Sequence, residues 1–322
     1  MKKICKLSVL ALFGAVMCLS SWAKPAEKAK KRPKRPSRPA TTKPAEAADV
    51  SDVKAVCGGI TIDEKVPGSN VFISGRSITI PKLWVCDHEV TQAEYKAIMG
   101  SNPSIYDDEP EPGESIANRP VDNVSWYDAI TYCNKRSLAE GLTPCYTVKG
   151  STDPAKWGNV PDKEDADWNA AICNFNANGY RLPTEAEWEF CARGADLTEE
   201  GTTKFSGSND LDSVAWYRNN SGEKTHEVKK KAPNKLGLYD MTGNVSEWCW
   251  DWVGETSMSK TRIKTSTPPR GEESGSCRIL RGGSSSSGES NYNPHLPVWA
   301  YDNDEPHYRS SGEGFRVVRT VK

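Results

Sequence analysis

The sequence predicts an α+β fold with few helices, short strands and much irregular chain. Three observations predict it. Helix starts are sparse, each a Ser or Thr followed three residues later by an acid. Between them lie short extended runs bounded by Gly, Pro, Asn and Asp clusters. The 322 residues also include 25 Gly, 21 Pro and 11 Trp. That composition belongs to turn-rich structure with large aromatic anchors, not to a helical bundle. A hydrophobic content of 36% and a mean hydropathy of −0.66 suit a soluble globular chain.

Residues 1–23 read as a secretory signal peptide. Lys2, Lys3 and Lys6 make a basic start, an apolar run follows from Leu7 to Leu19, and Ser21 and Ala23 offer small residues for cleavage after Ala23. The run is short for a transmembrane span. Lipidation at Cys18 has a poor lead-in, because bulky Met17 precedes it. The mature protein is therefore expected to be secreted, periplasmic or at the cell surface. Residues 24–52 read as a disordered linker. Lys24 to Lys43 holds nine Lys/Arg against the single acid Glu27, interleaved with Pro25, Pro33, Pro36 and Pro39. Charge repulsion and proline stiffness extend such a segment, and little in it is apolar enough to bury. It is a solvated spacer or an arm for an anionic cell envelope.

Residues 53–322 form the expected domain. Its helices start at Thr91-x-x-Glu94, Ser125-x-x-Asp128 and Thr184-x-x-Glu187. In each, the hydroxyl satisfies a free N–H of the first turn and the acid reaches back to the cap. The first helix should stop at Gly100. The second carries Trp126, Ala129, Ile130 and Cys133 on one face, and the third Trp188, Cys191 and Ala192. Extended pieces are expected at 71–73, 77–80, 83–86, 146–149, 248–253, 278–281 and 315–320. A long excursion is expected from Pro154 to Asn178.

The net charge of −1 hides an asymmetry. From residue 45 onward, 30 basic residues face 42 acids, so residues 45–322 carry roughly −12 and would repel nucleic acid. Of ten cysteines, Cys5 and Cys18 belong to the leader. In an oxidising compartment the rest admit disulfides, Cys145 with Cys173 and Cys249 with Cys277 being the expected pairs.

Six stretches occur in a telling order: Glu89-Val90-Thr91 with Tyr95; Arg119-Pro120-Val121 running into Val124-Ser125-Trp126; Tyr180 to Glu189; Gly237 to Met241 leading into Gly243-Asn244-Val245 and Glu247-Trp248; Arg281 to Ser284; and Gly314 to Val317. Together they resemble the formylglycine-generating-enzyme (sulfatase-modifying factor) family over roughly residues 66–320. The resemblance implies a C-type-lectin-like fold. Arg181, just before a capped helix, is expected to pair with a helix carboxylate. Gly282-Gly283 suits a tight approach of strands, with no sign of phosphate binding.

The resemblance also implies metals. Family members bind calcium at a stretch like Asp240-x-x-Gly243-x-Val245-x-Glu247. Carried across, the ligands are Asp240, the carbonyls of Gly243 and Val245, and Glu247, oxygens that suit a hard cation. The family's oxidases hold copper(I) on two cysteines shortly after Arg-Gly-Gly-Ser. Here those positions fall on Ser287 and Tyr292, and no cysteine follows Cys277. Copper is therefore not expected, since a hydroxyl and a phenol are poor ligands for it. His88, His226, His295 and His307 show no metal spacing. The segment from Ser284 to Gly314 is instead rich in Ser, Asn, Asp, Tyr and His. Ser287, Asn291, Tyr292, Trp299, Tyr301, His307 and Tyr308 are the candidate contacts for a protein, peptide or glycan, resembling the diversified C-terminal surface of some family members. A solvent-facing irregular loop is the plainer alternative. The sequence thus favours a non-catalytic binding module, with a copper-dependent oxidase as the alternative.

Overall fold

The computed structural model describes residues 53–321 except 57, 109, 200, 254–270 and 290–294. These residues lie within one compact unit, residues 45–322. The expected leader and linker lie outside the described residues.

The chain runs β1 (Val53–Val56), β2 (Ile60–Ile62), β3 (Ile78–Ile80), β4 (Leu83–Cys86), α1 (Gln92–Met99), α2 (Trp126–Ala139), β5 (Tyr146–Thr147), α3 (Ala166–Asn169), β6 (Ile172–Cys173), α4 (Glu185–Ala192), α5 (Leu211–Val214), β7 (Ser246–Val253), β8 (Cys277–Arg281), β9 (Tyr301–Asp304), β10 (Glu313–Gly314) and β11 (Val318–Thr320). It is an α+β fold. All three expected capping boxes form, with both reciprocal hydrogen bonds at Thr91, Ser125 and Thr184. Gly100 ends α1 in the left-handed region at φ 87°, where a side chain would be strained.

Strands β10, β7, β8 and β9 form the largest sheet, and β4 pairs antiparallel with both β1 and β11. The first and last described strands thus close on a common partner. The expected strand at 71–73 is absent: the Ser69 hydroxyl accepts from the Val71 and Phe72 amides and bends the chain there. The extended stretch expected at 315–320 is a strand only over β11. Phe315 to Val317 are buried but lie outside any ladder.

The two expected disulfides are not formed, and Cys145, Cys173, Cys249 and Cys277 are free thiols. Strand register accounts for this. Tyr146, not Cys145, stands opposite Cys173. Cys277 stands opposite Val253, which is about 13 Å along β7 from Cys249 and beyond disulfide reach.

Two apolar clusters flank the β7–β8 ladder. One gathers Trp126, Tyr127, Tyr132, Tyr146 and Trp248 around α2, and the other gathers Ile78, Val85, Trp188 and Ile279 around α4. Fully buried arginines stitch them together. Arg181 makes the expected helix pair, with Nη1 and Nη2 2.6 and 2.8 Å from the Glu187 carboxylate. Arg278 instead lies over aromatic faces, 3.8 Å from the Trp126 centroid and 3.4 Å from that of Trp252.

Candidate functional site

The turn from Asp240 to Glu247 is buried except at half-buried Ser246. Asp240, Gly243 and Asn244 all have positive φ, which folds the chain sharply before β7. Gly243 donates its amide to the Gly282 carbonyl and Asn244 donates to the Trp216 carbonyl. The Asn244 side chain donates to Glu89 at 2.8 Å, and the Val245 amide reaches the other Glu89 oxygen at 3.0 Å. Three buried carboxylates, Glu89, Asp240 and Glu247, therefore share one interior with Arg316.

The expected calcium ligands divide here. Asp240 accepts from the Lys229 amide through Oδ2, while its buried Oδ1 has no hydrogen-bond partner. Glu247 is saturated. Arg316 Nε lies 2.9 and 2.7 Å from its two oxygens, Arg316 Nη2 lies 2.7 Å from Oε1, and Trp188 Nε1 lies 2.7 Å from Oε2. Three N–H donors make four contacts, two on each carboxylate oxygen. The residues as placed do not fit one calcium ion shared by Asp240 and Glu247. Burial, then the charges of Asp240 and Glu247, hold the Glu89 carboxyl well above the usual carboxylate range. Burial likewise pushes Asp240 up to about 6, against the Lys229 amide and Arg316, which pull it down.

Beside this turn, the Cys86 thiol, the Asp87 carboxylate and His88 Nδ1 lie within 4.8 Å of one another, all buried. Both ring nitrogens already face acids: Nδ1 is 2.7 Å from Asp87 and Nε2 is 3.4 Å from Glu94. Lys229 Nζ is 2.9 Å from Asp87. The trio belongs to an ion-pair chain from Lys229 through Asp87 and His88 to Glu94. Burial would lower the His88 pKa, but Cys86, Asp87 and Glu94 overcome it and raise it to about 12. Burial would raise Glu94, but His88 overcomes it and the carboxyl falls to about 2.

These shifts fix a pH dependence. The Glu94 contribution is complete above its unfolded value near 4.5 and is lost as pH falls through about 2. The His88 contribution is complete below its unfolded value near 6.5 and is lost as pH rises through about 12. Urea midpoints of wild type should fall on either side of pH 4.5–6.5. His88→Gln should show a shallower fall on both sides; equal slopes in the two proteins would contradict the assignment.

The C-terminal loops differ from the expected contact set. Asn291 and Tyr292 lie outside the described residues. Ser287 Oγ accepts from the Ser284 amide at 2.9 Å, and the Ser287 carbonyl accepts from the Arg218 amide at 3.0 Å. Trp299 packs over Gly68, with ring atoms 3.3 Å from where a Cβ would stand. Trp299 and Tyr301 both lean on the α4 cluster, so they are half-buried anchors. His307 is half-buried, with Nε2 3.4 Å from Glu305. Tyr308 is exposed at 48%. Arg309 pins the loop to α2, its Nε 2.7 Å from Asp128. Acids that sequence reasoning passed over, Asp302, Asp304 and Glu313, gather beside Tyr308's loop. The sequence signal for two of them was the acidic run Asp302-Asn303-Asp304-Glu305.

A family model, the sulfatase-modifying factor enzyme 1-like domain, matches residues 38–321. The chain belongs to this family. Among similar proteins, the "Chaperone protein LppX" of Paenibacillus barcinonensis is 42% identical over 197 residues, covering 56% of this chain and 65% of that protein. The chain thus spans less than two thirds of that relative. A formylglycine-generating enzyme of Thermomonospora curvata is 31% identical over 279 residues, covering 81% of this chain and 75% of the enzyme. Among solved structures, the Treponema denticola variable protein 1 superposes with a TM-score of 0.74 at 39% identity, covering 84% of this chain and 95% of that one. The sulfatase-modifying factor fold, C-type-lectin-like, is therefore the fold of this chain.

The family's copper chemistry can be tested on the donor set. After the Arg281–Ser284 stretch the chain offers hydroxyls, carboxylates and imidazoles but no thiol. Ser284 Oγ and Ser286 Oγ lie 3.0 Å apart and satisfy one another. These are hard donors, and copper(I) prefers thiolate. They do not fit the metal.

Proposed function

We propose that this sulfatase-modifying factor domain is a non-catalytic binding module that receives a protein, peptide or glycan on its C-terminal loops. The observation that carries this reading is the replacement of the oxidase thiols on an otherwise intact scaffold. Ser287 stands at one of their positions, and its hydroxyl is bonded into its own turn. The described part of the loop is pinned at both ends, by Arg218 on one side and by the Arg309–Asp128 pair on the other. A preorganised loop loses little entropy on binding. The likeness to a protein described as a chaperone and to one described as variable agrees with binding rather than turnover.

Export follows from the basic-apolar-small leader, and the Lys/Pro-rich stretch would hold the domain away from, or against, an anionic envelope. Among the described residues no helix is long and apolar enough to cross a membrane.

The second reading, a copper-dependent oxidase that converts a sulfatase cysteine to formylglycine, is favoured by the 31% identity to such an enzyme. One experiment separates the two. The mature protein is titrated with copper(I) and then incubated aerobically with a Cys-x-Pro-x-Arg peptide. The binding-module reading expects the peptide mass to stay unchanged at all copper loadings. Conversion of the peptide cysteine to an aldehyde would establish the oxidase instead.

A further inference from the structure

Strand β4 ends on three consecutive residues with three different donors. The Cys86 thiol, the Asp87 carboxylate and a His88 ring nitrogen offer sulfur, oxygen and nitrogen within 4.8 Å of one another. Among the described residues, no other three His, Cys, Asp or Glu donors gather this closely. His88 Nδ1 faces both neighbours, 2.7 Å from Asp87 Oδ1 and 3.8 Å from Cys86 Sγ. In a tetrahedral zinc shell, nitrogen and oxygen ligands stand about 3.3 Å apart, and nitrogen and sulfur about 3.6 Å. The Asp87 contact therefore has to open by about half an ångström, and the Cys86 contact to close by roughly a few tenths.

The surroundings are those of a ligand set. His88 Nε2 faces Glu94 Oε2 at 3.4 Å, and that same oxygen accepts from the Thr91 amide at 2.8 Å. A carboxylate behind the outer ring nitrogen is the support that metal-bound imidazoles carry. A cation already sits on the other side, with Lys229 Nζ 2.9 Å from Asp87 Oδ1. Lys229 is held there at φ 67°, its amide donating to Asp240 Oδ2. Its side chain is 33% exposed, whereas the three donors are buried, so its departure opens a path from solvent.

We infer that Cys86, Asp87 and His88 form a binding site for zinc(II) or a borderline divalent ion of its class, with the Lys229 ammonium standing in for the ion in the metal-free chain. A thiolate, a carboxylate and a neutral imidazole balance the two charges of the ion. The protons of the thiol and of His88 Nδ1 pass to solvent as it binds. Water completes the tetrahedron on the side that Lys229 leaves. Calcium is a poor match, since it takes roughly six to eight oxygens. Copper(I) is a poor match as well, because only one of the three donors is soft. The inference goes beyond the binding-module reading and does not depend on it. The site lies at the root of α1, and an ion there ties β4 to that helix through His88 and Glu94.

The test uses the full mature chain, freed of metal by a chelator and titrated with cobalt(II). The thiolate-to-cobalt charge-transfer band reports a sulfur ligand, and the d–d bands report the coordination number. One equivalent should saturate the thiolate band, and zinc should bleach it. Cys86→Ser should abolish the band, and His88→Gln should weaken binding at least tenfold. Lys229→Ala should bind cobalt at least threefold more tightly, because no ammonium has to be displaced. A lysine that only supports the fold would not give that gain. Zinc at a hundredfold excess over its Kd should raise the wild-type melting temperature by about 5 °C and leave that of Cys86→Ser unmoved. Absence of a thiolate band, a band that survives Cys86→Ser, or unchanged or weaker binding in Lys229→Ala would each overturn the inference. Displacement of cobalt by calcium would overturn it in favour of an oxygen-ligated site. Should Cys86→Ser not fold, His88→Gln and Lys229→Ala decide the matter, and wild-type affinity in both would overturn the inference.

Discussion

Glu247→Gln is expected to destabilise the domain by about 3–5 kcal/mol, the loss found when one member of a buried ion pair is removed. Arg316 is 1% exposed and gives three hydrogen bonds to the Glu247 oxygens at 2.7–2.9 Å. Glutamine keeps the shape but loses the charge, and its amide group turns N–H donors toward Arg316 or Trp188 Nε1. The guanidinium then stays buried without its counterion. One neighbour offsets part of the loss. Glu89, whose carboxyl is held well above the usual range by burial and by this same carboxylate, ionises more readily once Glu247 is neutral. The lower end of the range is therefore expected near pH 8 and the upper end near pH 5.

Glu89→Gln gives the contrast. A protonated carboxyl is imitated by an amide, whose oxygen still accepts from Val245 N or Asn244 Nδ2, so a loss of about 1 kcal/mol is expected. Urea denaturation of the two variants measures both numbers. Losses of equal size would mean that the charge of Glu247 contributes nothing to Arg316.

This cluster shows which parts of the structure were legible in the sequence. The capping boxes were legible because they are local: Thr91, Ser125 and Thr184 meet their acids three residues away, and no distant contact is needed. Arg181 was legible for the same reason, since Glu187 is six residues on. The partner of Glu247 was not, because Arg316 lies 69 residues downstream. A pattern of spaced oxygens resembles a calcium site whether or not an arginine returns to saturate it. Strand β9 escaped notice because Tyr301-Asp302-Asn303-Asp304 is poor in β-branched residues. It owes its extension to pairing with β8, a tertiary cause that overrides propensity. The acids on it read as an ordinary polar loop. Only the return of the chain at β10 sets the buried Glu313 carboxyl against that of Asp304. Trp299 and Tyr301 rest part of their area on the core, a packing that composition does not distinguish from an exposed contact.

The second large effect is expected from Gly243→Ala, at about 3 kcal/mol or more. Gly243 has φ 83°, and a Cβ there would stand 2.2 Å from the Trp216 carbonyl oxygen. That oxygen is backbone, and it already accepts the Asn244 amide at 2.8 Å. Relief of the clash must therefore break the Asn244 bond or shift the 216 segment, whose Trp216 ring is stacked on His226 at 3.9 Å between centroids. The damage extends to the C-terminal loop, because the Asn244 carbonyl receives the Ser285 amide at 2.8 Å and so sets where that loop begins. Gly150→Ala separates the two causes. Gly150 has φ 74° with nothing within 4 Å of the added carbon, so left-handed strain alone should cost it about 1–2 kcal/mol. Denaturant melts of the pair, with amide exchange followed at Ser285, make the comparison. Gly243→Ala should lose the more stability and should speed Ser285 exchange, whereas Gly150→Ala should leave that amide protected. Equal losses in the two variants would place the whole effect in backbone strain and none in the contact with Trp216.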